Sequence, residues 1–366
     1  MPTATAADVL AYRVGAQQLD GGAGAPADTA VLDLGVQDTG PDGGLWALAL
    51  RGVAPEPGEL TCVWTLRGAP HLYRRADLPA IAAATAPFSE ADAARRIHDA
   101  ARPLRAAGIP VLAALDTIAG RMREIVDAPM VKGEMSRLLS DTLREDGEPG
   151  PYNRFCVPCD AVHLWEQPLR LAALRAGLEL RPGTSPPVLQ PVPGLAPSAT
   201  VPGRLDVVRA YLHLHGPAAP RHVAGYLDAP VRDVEARWPD DAVEVDVDGE
   251  RRWVLADDAD RLRAGPDGVT RLLGPFDPFL QARDRETLLP DAGHRKALWP
   301  VLGRPGAVLA DGGIAGVWRP RKAGRSLTVA VEPWTRLSPE VRAGVAEQAE
   351  RLAAFRGIPL RAVDIA

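Results

Sequence analysis

The stretch from residue 204 to residue 256 most constrains how this chain can fold. Three apolar segments with helical spacing are followed by two alternating segments around an Asp-Gly turn: RLDVVRAYLHLHG, PRHVAGYLD, APVRDVEARW and AVEVDVDGERRWVLA. Apolar residues at i, i+3 and i+4 predict helices, and alternation around Asp248-Gly249 predicts a β-hairpin. Three helices and a hairpin in this order predict a winged helix-turn-helix.

The charges of this module do not suit a helix that reads DNA. The third helix carries Arg232, Asp233, Glu235 and Arg237, which cancel, and the hairpin has more acidic than basic residues. Because a helix in the major groove and a wing along phosphates both need positive charge, we expect this module to be structural.

A second informative stretch runs from Val31 to Gly52 and reads VLDLGVQDTGPDGGLWALALRG. We interpret its two apolar runs, Val31 to Val36 and Leu45 to Leu50, as strands around a Gly-rich turn. The polar pair Gln37 and Asp38 stands where the first run ends, a position from which a rigid scaffold presents groups to a ligand. The alternative is that Asp38 only hydrogen-bonds the backbone of the turn.

Composition excludes several classes of protein. The chain has 366 residues, a formal net charge of −5 and 46% hydrophobic residues, which is typical of a globular protein. No apolar run is long enough to span a membrane and no signal peptide is evident, so we expect a cytoplasmic, nucleoid-associated monomer without membrane contact. Cys62, Cys156 and Cys159 make neither a disulfide framework nor a four-ligand zinc site, and we expect no metal or cofactor.

The rest of the chain is a mixture of helices and short strands. We expect a helix in residues 3–19, a third strand-forming run in 60–72, a Ser89-capped helix, and mainly helical structure from 111 to 181. A Pro-rich linker follows at 183–199, and the chain closes with strands, a long helix and a final short strand.

One segment is basic within this acidic chain. Between residues 283 and 325 nine Arg and Lys residues stand against four acidic ones, a net charge of +5. Phosphates are expected to bind here, although solvated arginines on a hairpin would give the same count.

These residues together resemble the winged-helix DNA glycosylases of the azinomycin-resistance type, the AlkZ-like family. The resemblance rests on pieces in a fixed order over some three hundred residues: VQD with LWALALRG, WTLRGAPHL, RAYLHLHGPAAPRHVAGYL, GPFDPFLQARDR and RPGAVLADGGIAGVWRPR. Each piece alone is weakly specific, whereas their order is specific.

The resemblance implies an α+β fold of tandem winged-helix domains in a C shape around duplex DNA, with a β-rich C-terminal region. We therefore expect a first winged-helix-like domain with the catalytic motif (1–110), a mainly helical second one (111–182), the linker (183–199), a third winged helix (200–258) and a β-rich domain with a basic hairpin (259–366).

The family hydrolyses the N-glycosidic bond of alkylated purines, mainly N7-alkylguanine, and some members unhook interstrand crosslinks. Its catalytic motif is Gln, an apolar residue, then Gln or Asp. Here either Gln37 matches the final amide, with Gly35 in the first position, or Asp38 matches the final carboxylate, with Val36 in the first position.

An N7-alkylated guanine is already a good leaving group, so the site must stabilise an oxocarbenium-like sugar and position a water. Our hypothesis is that Asp38 supplies negative charge and acts as base while Gln37 holds the water. Arg67 and His71 are expected to contact phosphates around the lesion. We expect the hairpin residues Arg319, Arg321, Lys322 and Arg325 to probe the duplex, and Trp46 and Trp64 to lie in the core.

Three functions compete at this point. The first is a monofunctional DNA glycosylase for DNA repair or self-resistance. The second is a non-catalytic or regulatory winged-helix DNA-binding protein, and the third is a scaffold that uses neutral winged helices to bind proteins.

Overall fold

The computed structural model describes residues 2–40, 42–144, 148–263, 268–323 and 325–366. The chain divides into two compact units that interleave along the sequence. The first unit holds residues 1–56, 208–226 and 238–366, and the second holds residues 57–207 and 227–237. The division into four consecutive domains and a linker remains a prediction.

The N-terminal segment is mainly helical. Thr5 begins the first helix with a capping box, in which its hydroxyl accepts from the amide of Asp8 and the Asp8 carboxylate accepts from the amide of Thr5. The elements up to residue 56 are β1 (Thr3–Ala4), α1 (Ala6–Ala16), α2 (Val31–Leu34), β2 (Val36–Gln37) and α3 (Gly43–Leu50).

The interpretation of the runs at Val31 and Leu45 as strands was wrong. The first run is mostly α2 and the second forms the last part of α3. Short runs of continuous apolar residues do not distinguish a buried strand from a buried helix, and the Leu- and Ala-rich second run favours a helix. Gln37 therefore lies in a two-residue strand between two helices.

The middle of the chain contains more strands than predicted. The run at residues 60–72 gives two strands around a 3₁₀ turn, and part of the expected linker is also a strand. The elements are β3 (Leu60–Trp64), β4 (Pro70–Arg74), α4 (Leu78–Ala84), α5 (Glu90–Arg96), α6 (Ala101–Ala106), α7 (Val111–Ile125), β5 (Met130–Val131), α8 (Lys132–Thr142), β6 (Asn153–Cys156), β7 (Ala161–Leu164), α9 (Glu166–Arg175), β8 (Leu178–Leu180) and β9 (Val188–Pro191).

The final part of the chain begins with the three helices and hairpin that the sequence predicted. Both residues of the Asp248-Gly249 turn have positive φ, as a two-residue type I′ hairpin requires. The elements are α10 (Val207–His215), α11 (Pro220–Leu227), α12 (Val231–Glu235), β10 (Ala242–Val247), β11 (Glu250–Leu255), β12 (Arg271–Leu273), α13 (Arg285–Leu288), α14 (Ala292–Leu298), β13 (Gly306–Ala310), β14 (Gly313–Ala323), β15 (Ser326–Pro333), α15 (Pro339–Phe355) and β16 (Leu360–Ile365).

The first unit is built around a five-stranded sheet in the order β12-β13-β14-β15-β16, in which only the last pair is parallel. A second sheet contains β1, β10 and β11. The α+β class is therefore confirmed. The large core joins residues of α1 and α3 to this sheet and to α15, among them Trp46, Phe279, Trp318 and Leu352.

A buried ion pair ties α3 to the loop that follows β12. The Arg51 guanidinium donates through Nη1 and Nη2 to the two oxygens of Asp277, at 3.0 and 3.1 Å, and both side chains are fully buried. The same guanidinium also donates to the carbonyls of Gln17 and Ala47. Two pieces of the family resemblance, LWALALRG and GPFDPFLQARDR, are thus bonded to each other.

A second buried carboxylate lies in the same GPFDPFLQARDR piece. Asp284 accepts from Arg13 at 2.7 Å and from Arg252 at 2.6 Å. Burial alone would raise the pKa of Asp284, but the charge and hydrogen bond of Arg13 and the charge of Arg252 outweigh it, so the pKa is lowered. This carboxylate joins α1 to the hairpin β10–β11.

The second unit holds a sheet with the strand order β4-β3-β8-β9-β5 and a separate hairpin, β6–β7. His71 lies on β4 with 1% exposure, and its Nδ1 is 3.0 Å from the carbonyl of Ala69. Burial, assisted by the charge of Arg67, lowers the pKa of His71 to about 3. The imidazole is therefore neutral near pH 7. In the part of the chain that the structure describes, no helix is both long and apolar enough to cross a membrane.

Replacing Asp277 with Ala should lower the free energy of unfolding by about 3–5 kcal/mol, because it leaves the Arg51 guanidinium buried without its counter-charge. Urea unfolding of the two proteins would measure the difference. The exposed carboxylate of Asp240 is a matched control, and Asp240→Ala should change stability by less than about 0.5 kcal/mol. Similar losses for both variants would contradict the role of the ion pair.

His71 should make the protein less stable in mild acid. Its pKa is about 3 in the folded state and near 6.5 when unfolded, so between these values the unfolded state binds the additional proton. Stability should fall by up to about 1.4 kcal/mol per pH unit as the pH drops below about 6.5. The measurement is urea unfolding of wild type and His71→Gln at pH 7 and pH 5. The loss of stability between the two pH values should be smaller for His71→Gln, and an unchanged loss would contradict this assignment.

Candidate active site

The loop between α2 and α3 depends on glycines at fixed positions. Gly35, which ends α2, has φ 90° and ψ 140°, a conformation that residues with a Cβ almost never adopt. A Gln in the first position of the family motif would be strained at Gly35. The chain therefore uses this position to turn from α2 into β2, and the residues available for chemistry are those that follow.

Asp38 is held at the N-terminus of α3. Its Oδ1 accepts from the amide of Gly44 at 2.8 Å, and the side chain is half-buried. A Cβ added to Gly43 would lie 2.0 Å from the same oxygen, so a glycine there is needed for this contact. The positive end of the helix dipole favours a negative charge at this place. The structural alternative considered for Asp38, a hydrogen bond within the turn, is thus present, and it fixes the position of the carboxylate.

Gln37 precedes this carboxylate and is also half-buried. Its amide nitrogen donates to the hydroxyl of Thr39 at 3.1 Å. Thr39 is also the first residue of this loop to reach the cavity described next. Gln37 and Asp38 are therefore ordered by the loop itself, without a ligand.

A cavity of about 520 Å³ opens within the first unit, immediately after Asp38 in the sequence. The side chains of Gln37 and Asp38 are not part of its wall, which begins at the next residue. It is lined by the loop before α3, the loop after β12, the loop before β13 and the middle of β14: Thr39, Gly40, Asp42, Gly43, Ala47, 274–277, 301–306 and 318–320.

Two tryptophans hold the wall of this cavity in place. The indole nitrogens of Trp46 on α3 and Trp318 on β14 donate to the successive carbonyls of Leu272 and Leu273, each at 2.9 Å. Both rings are almost fully buried, as is Trp64, which confirms the expected core positions of Trp46 and Trp64. Asp277 lies in the loop that follows β12. The two indole bonds and the Arg51–Asp277 ion pair therefore fix this loop, which forms the cavity floor.

The far end of α15 also supports the loop. The guanidinium of Arg356 forms a two-bond ion pair with Asp42, and Arg351 donates to the carbonyl of Ala49 at 3.1 Å. The ring of Phe355 packs against Trp46 at a centroid distance of 5.3 Å. The candidate site is therefore completed by residues more than three hundred positions further along the chain.

The basic hairpin expected from the sequence is formed by β14 and β15. Arg319, Arg321 and Arg325 are exposed, whereas the side chain of Lys322 lies outside the described residues. Arg319 lines the cavity and donates to the carbonyl of Gly303 at 2.7 Å. The structure thus places one predicted DNA-contacting arginine and the loop after Asp38 around a single cavity.

The loop before β13 was not predicted from the sequence as part of the site. Its side chains Val301 and Leu302 are 96% and 86% exposed at the cavity rim, although they are apolar. Arg304 from the same loop lies over the ring of Phe276 at 5.2 Å. Exposed apolar residues beside basic ones suit insertion between nucleotides. The position of Val301-Leu302 between Pro300 and Gly303 was the one available signal of a turn.

Arg67 and His71 lie in the second unit, on the 3₁₀ turn before β4 and on β4 itself. Arg67 is half-buried with φ 57°, in the left-handed region. His71 is buried and neutral, so it offers no positive charge to a phosphate. Its Nε2 has no hydrogen-bond partner among the described residues. This geometry supports a packing role for His71 better than the predicted phosphate contact.

The charges of the winged-helix module agree with a structural role. Arg251 on β11 pairs with Glu244 on β10 at 2.6 Å, and Arg221 pairs with Glu250. On the third helix Arg232 lies 3.5 Å from Asp233. Because these basic groups have acidic neighbours, they add little net positive charge for a phosphate backbone.

Three comparisons with known proteins find relatives of this chain. A family model described as DNA glycosylase AlkZ-like matches residues 34–355. An interstrand DNA cross-link repair glycosylase from Streptomyces sahachiroi is 33% identical over 123 residues, which is 31% of this chain and 33% of that protein. The chain also aligns with the solved structure of the Streptomyces sahachiroi DNA glycosylase AlkZ, with a TM-score of 0.75 and 23% sequence identity. This alignment covers 100% of each chain.

These matches differ in what they establish. The aligned part of the curated relative spans about a third of its length, and the structural likeness concerns the fold. The family model, by contrast, covers most of the chain and includes the loop with Gln37 and Asp38, the cavity and the basic hairpin. This chain belongs to the AlkZ-like family of DNA glycosylases.

Proposed function

We propose that this protein hydrolyses the N-glycosidic bond of alkylated purines in duplex DNA, as a monofunctional glycosylase. The observation that carries the proposal is the cavity that joins the loop after Asp38 to the Arg-bearing hairpin within one unit. The tandem winged-helix, C-shaped arrangement implied by the family resemblance is part of this proposal.

Asp38 is assigned the role of electrostatic stabiliser and base. An N7-alkylated purine leaves with its positive charge neutralised, so no acid is required, and the sugar becomes positive in the transition state. A carboxylate fixed by the amide of Gly44 needs no reorientation to stabilise that charge. It can also accept the proton of the attacking water.

Gln37 is assigned the role of holding the water. Its amide nitrogen donates to Thr39, so the carbonyl oxygen is the end of the group suited to accept from a water. With Gly35 required by the backbone, we assign the motif carboxylate to Asp38 and not the motif amide to Gln37. The position two residues before Asp38 is then Val36, which is buried.

We further propose that the substrate range extends to bulky adducts and interstrand crosslinks. The curated relative from Streptomyces sahachiroi is named for interstrand cross-link repair. A pocket closed over a flipped base excludes such lesions, whereas a cavity along an exposed hairpin accommodates them.

Replacing Asp38 with Asn should reduce base release by about 10²–10³-fold, since the amide lacks the charge and the basic oxygen. The Asn side chain can still accept from the amide of Gly44, so folding should be preserved. The measurement is single-turnover release of 7-methylguanine from duplex DNA, followed by alkaline cleavage at abasic sites. Asp33→Asn, a change of a half-buried carboxylate on α2, is the matched control and should retain activity.

An unchanged rate for Asp38→Asn would remove this assignment. Binding of the duplex by wild type without any base release would favour the alternative of a non-catalytic DNA-binding protein, for which the family motif with Gly35 or Val36 in its first position is the supporting observation.

The hairpin and the apolar loop should contribute to DNA binding in different ways. Neutralising Arg321 and Arg325 together should weaken binding and reduce the slope of log K against log salt by about 2, because two phosphate contacts are lost. Replacing Val301 and Leu302 with Ser should weaken binding without changing the slope, since no charge is removed. Fluorescence anisotropy across a salt series measures both quantities.

Each pair of variants is the control for the other. Equal salt slopes for all three proteins would contradict the role of the arginines, and unchanged affinity of the Ser variants would contradict insertion of the apolar loop.

A further inference from the structure

The hairpin β6–β7 in the second unit brings two cysteines together. Cys156 ends β6 and Cys159 ends the 3₁₀ turn Val157–Cys159, three residues later. Asp160 follows with φ 46° and ψ 42°, a left-handed residue that closes the turn. Both thiols are free, with Cys156 buried and Cys159 exposed. A Cys-x-x-Cys turn of this kind supplies two ligands from one short loop.

The returning strand adds a histidine on the same face. In the antiparallel register Cys156 lies opposite Ala161, and His163 is two residues further along β7. Because residues two apart on a strand share a face, His163 lies on the side of Cys156. One ligand atom from each of Cys156, Cys159 and His163 lies within 4.8 Å of the other two.

The histidine is oriented as metal ligands usually are. Its Nδ1 is 2.8 Å from the carbonyl of Leu164. A carbonyl can only accept, so Nδ1 carries the proton and Nε2 keeps its lone pair. In zinc-bound histidines, a hydrogen bond from the ring nitrogen that does not bind the metal to a backbone carbonyl fixes the tautomer in the same way.

We propose that Cys156, Cys159 and His163 form a binding site for Zn²⁺ or a similar thiophilic divalent cation. Two thiolates and an imidazole are the ligands that zinc prefers, and a water would complete a four-coordinate site. Among the residues that the structure describes, this is the one cluster of three potential metal ligands.

Metal binding here would stabilise a weak part of the second unit. A two-stranded hairpin is marginally stable alone, and β6–β7 is a separate sheet of only two strands. Its other support includes the Asn153 amide, which donates to the carbonyls of Ser140 and Pro149. The metal would link both ends of the turn to β7. This role is independent of the proposed glycosylase site, which lies in the first unit.

The test is metal binding by the full-length protein, kept reduced and stripped of metal with a chelator. Titration with Co²⁺ should give a thiolate charge-transfer band and the visible bands of a tetrahedral site, saturating at one ion per chain. Competition with a chromophoric chelator then gives the Zn²⁺ affinity. Cys156→Ser and Cys159→Ser should each weaken binding by at least about 100-fold, and His163→Gln by about 10–100-fold. Cys62→Ala, which removes the remaining cysteine, should leave the affinity unchanged.

A second measurement needs no variant. Zn²⁺ should protect Cys156 and Cys159 of the wild-type protein from alkylation, with the modified residues identified by mass spectrometry. Uptake of less than one ion per chain, equal affinities for Cys159→Ser and Cys62→Ala, or equal alkylation with and without Zn²⁺ would each overturn the proposal.

Discussion

The buried pair of Arg51 and Asp277 is the interaction on which the site depends. Arg51 ends α3, whose first residues hold Asp38, and Asp277 lies on the loop that forms the cavity floor. The guanidinium also binds the carbonyl of Gln17 after α1. A buried charge is costly unless it is fully paired, so these three segments can pack together in few ways. The pair thereby sets where the carboxylate stands relative to the cavity.

The sequence was most informative where several signals agreed. The winged-helix module combined helical spacing with an Asp-Gly turn, and its predicted order of elements is present. The Ser89 cap and the C-terminal helix and strand were also predicted correctly, because caps and turns depend on neighbouring residues. The prediction of a strand at Leu45–Leu50 was wrong because a short, wholly apolar segment has no periodicity that would distinguish a strand from a helix.

The position of Gln37 and Asp38 at a functional loop was a prediction of the sequence, but their surroundings were not. The cavity is made by segments near residues 40, 275, 303 and 319, and no local pattern indicates that these meet. The exposure of Val301 and Leu302 could not be predicted either, since apolar residues are usually assigned to the core. His71 shows the reverse case, in which a polar residue beside a turn is buried by strands distant in sequence.

The cysteines show how tertiary geometry changes the meaning of a spacing. Three cysteines in a chain of this length did not indicate a metal site, and none was expected from the sequence. The hairpin register, which pairs Cys156 with Ala161, is what brings His163 to the two thiols. Such a three-ligand set is visible only after strand pairing is known.

The ion pair between Asp42 and Arg356 has a consequence for how the protein is made. A ribosome synthesises Asp42 more than three hundred residues before its partner Arg356. The loop that holds Asp38 can therefore reach its final order only after Arg356 has left the exit tunnel. A nascent chain that ends before α15 would carry Gln37 and Asp38 without the α15 contacts that support their loop.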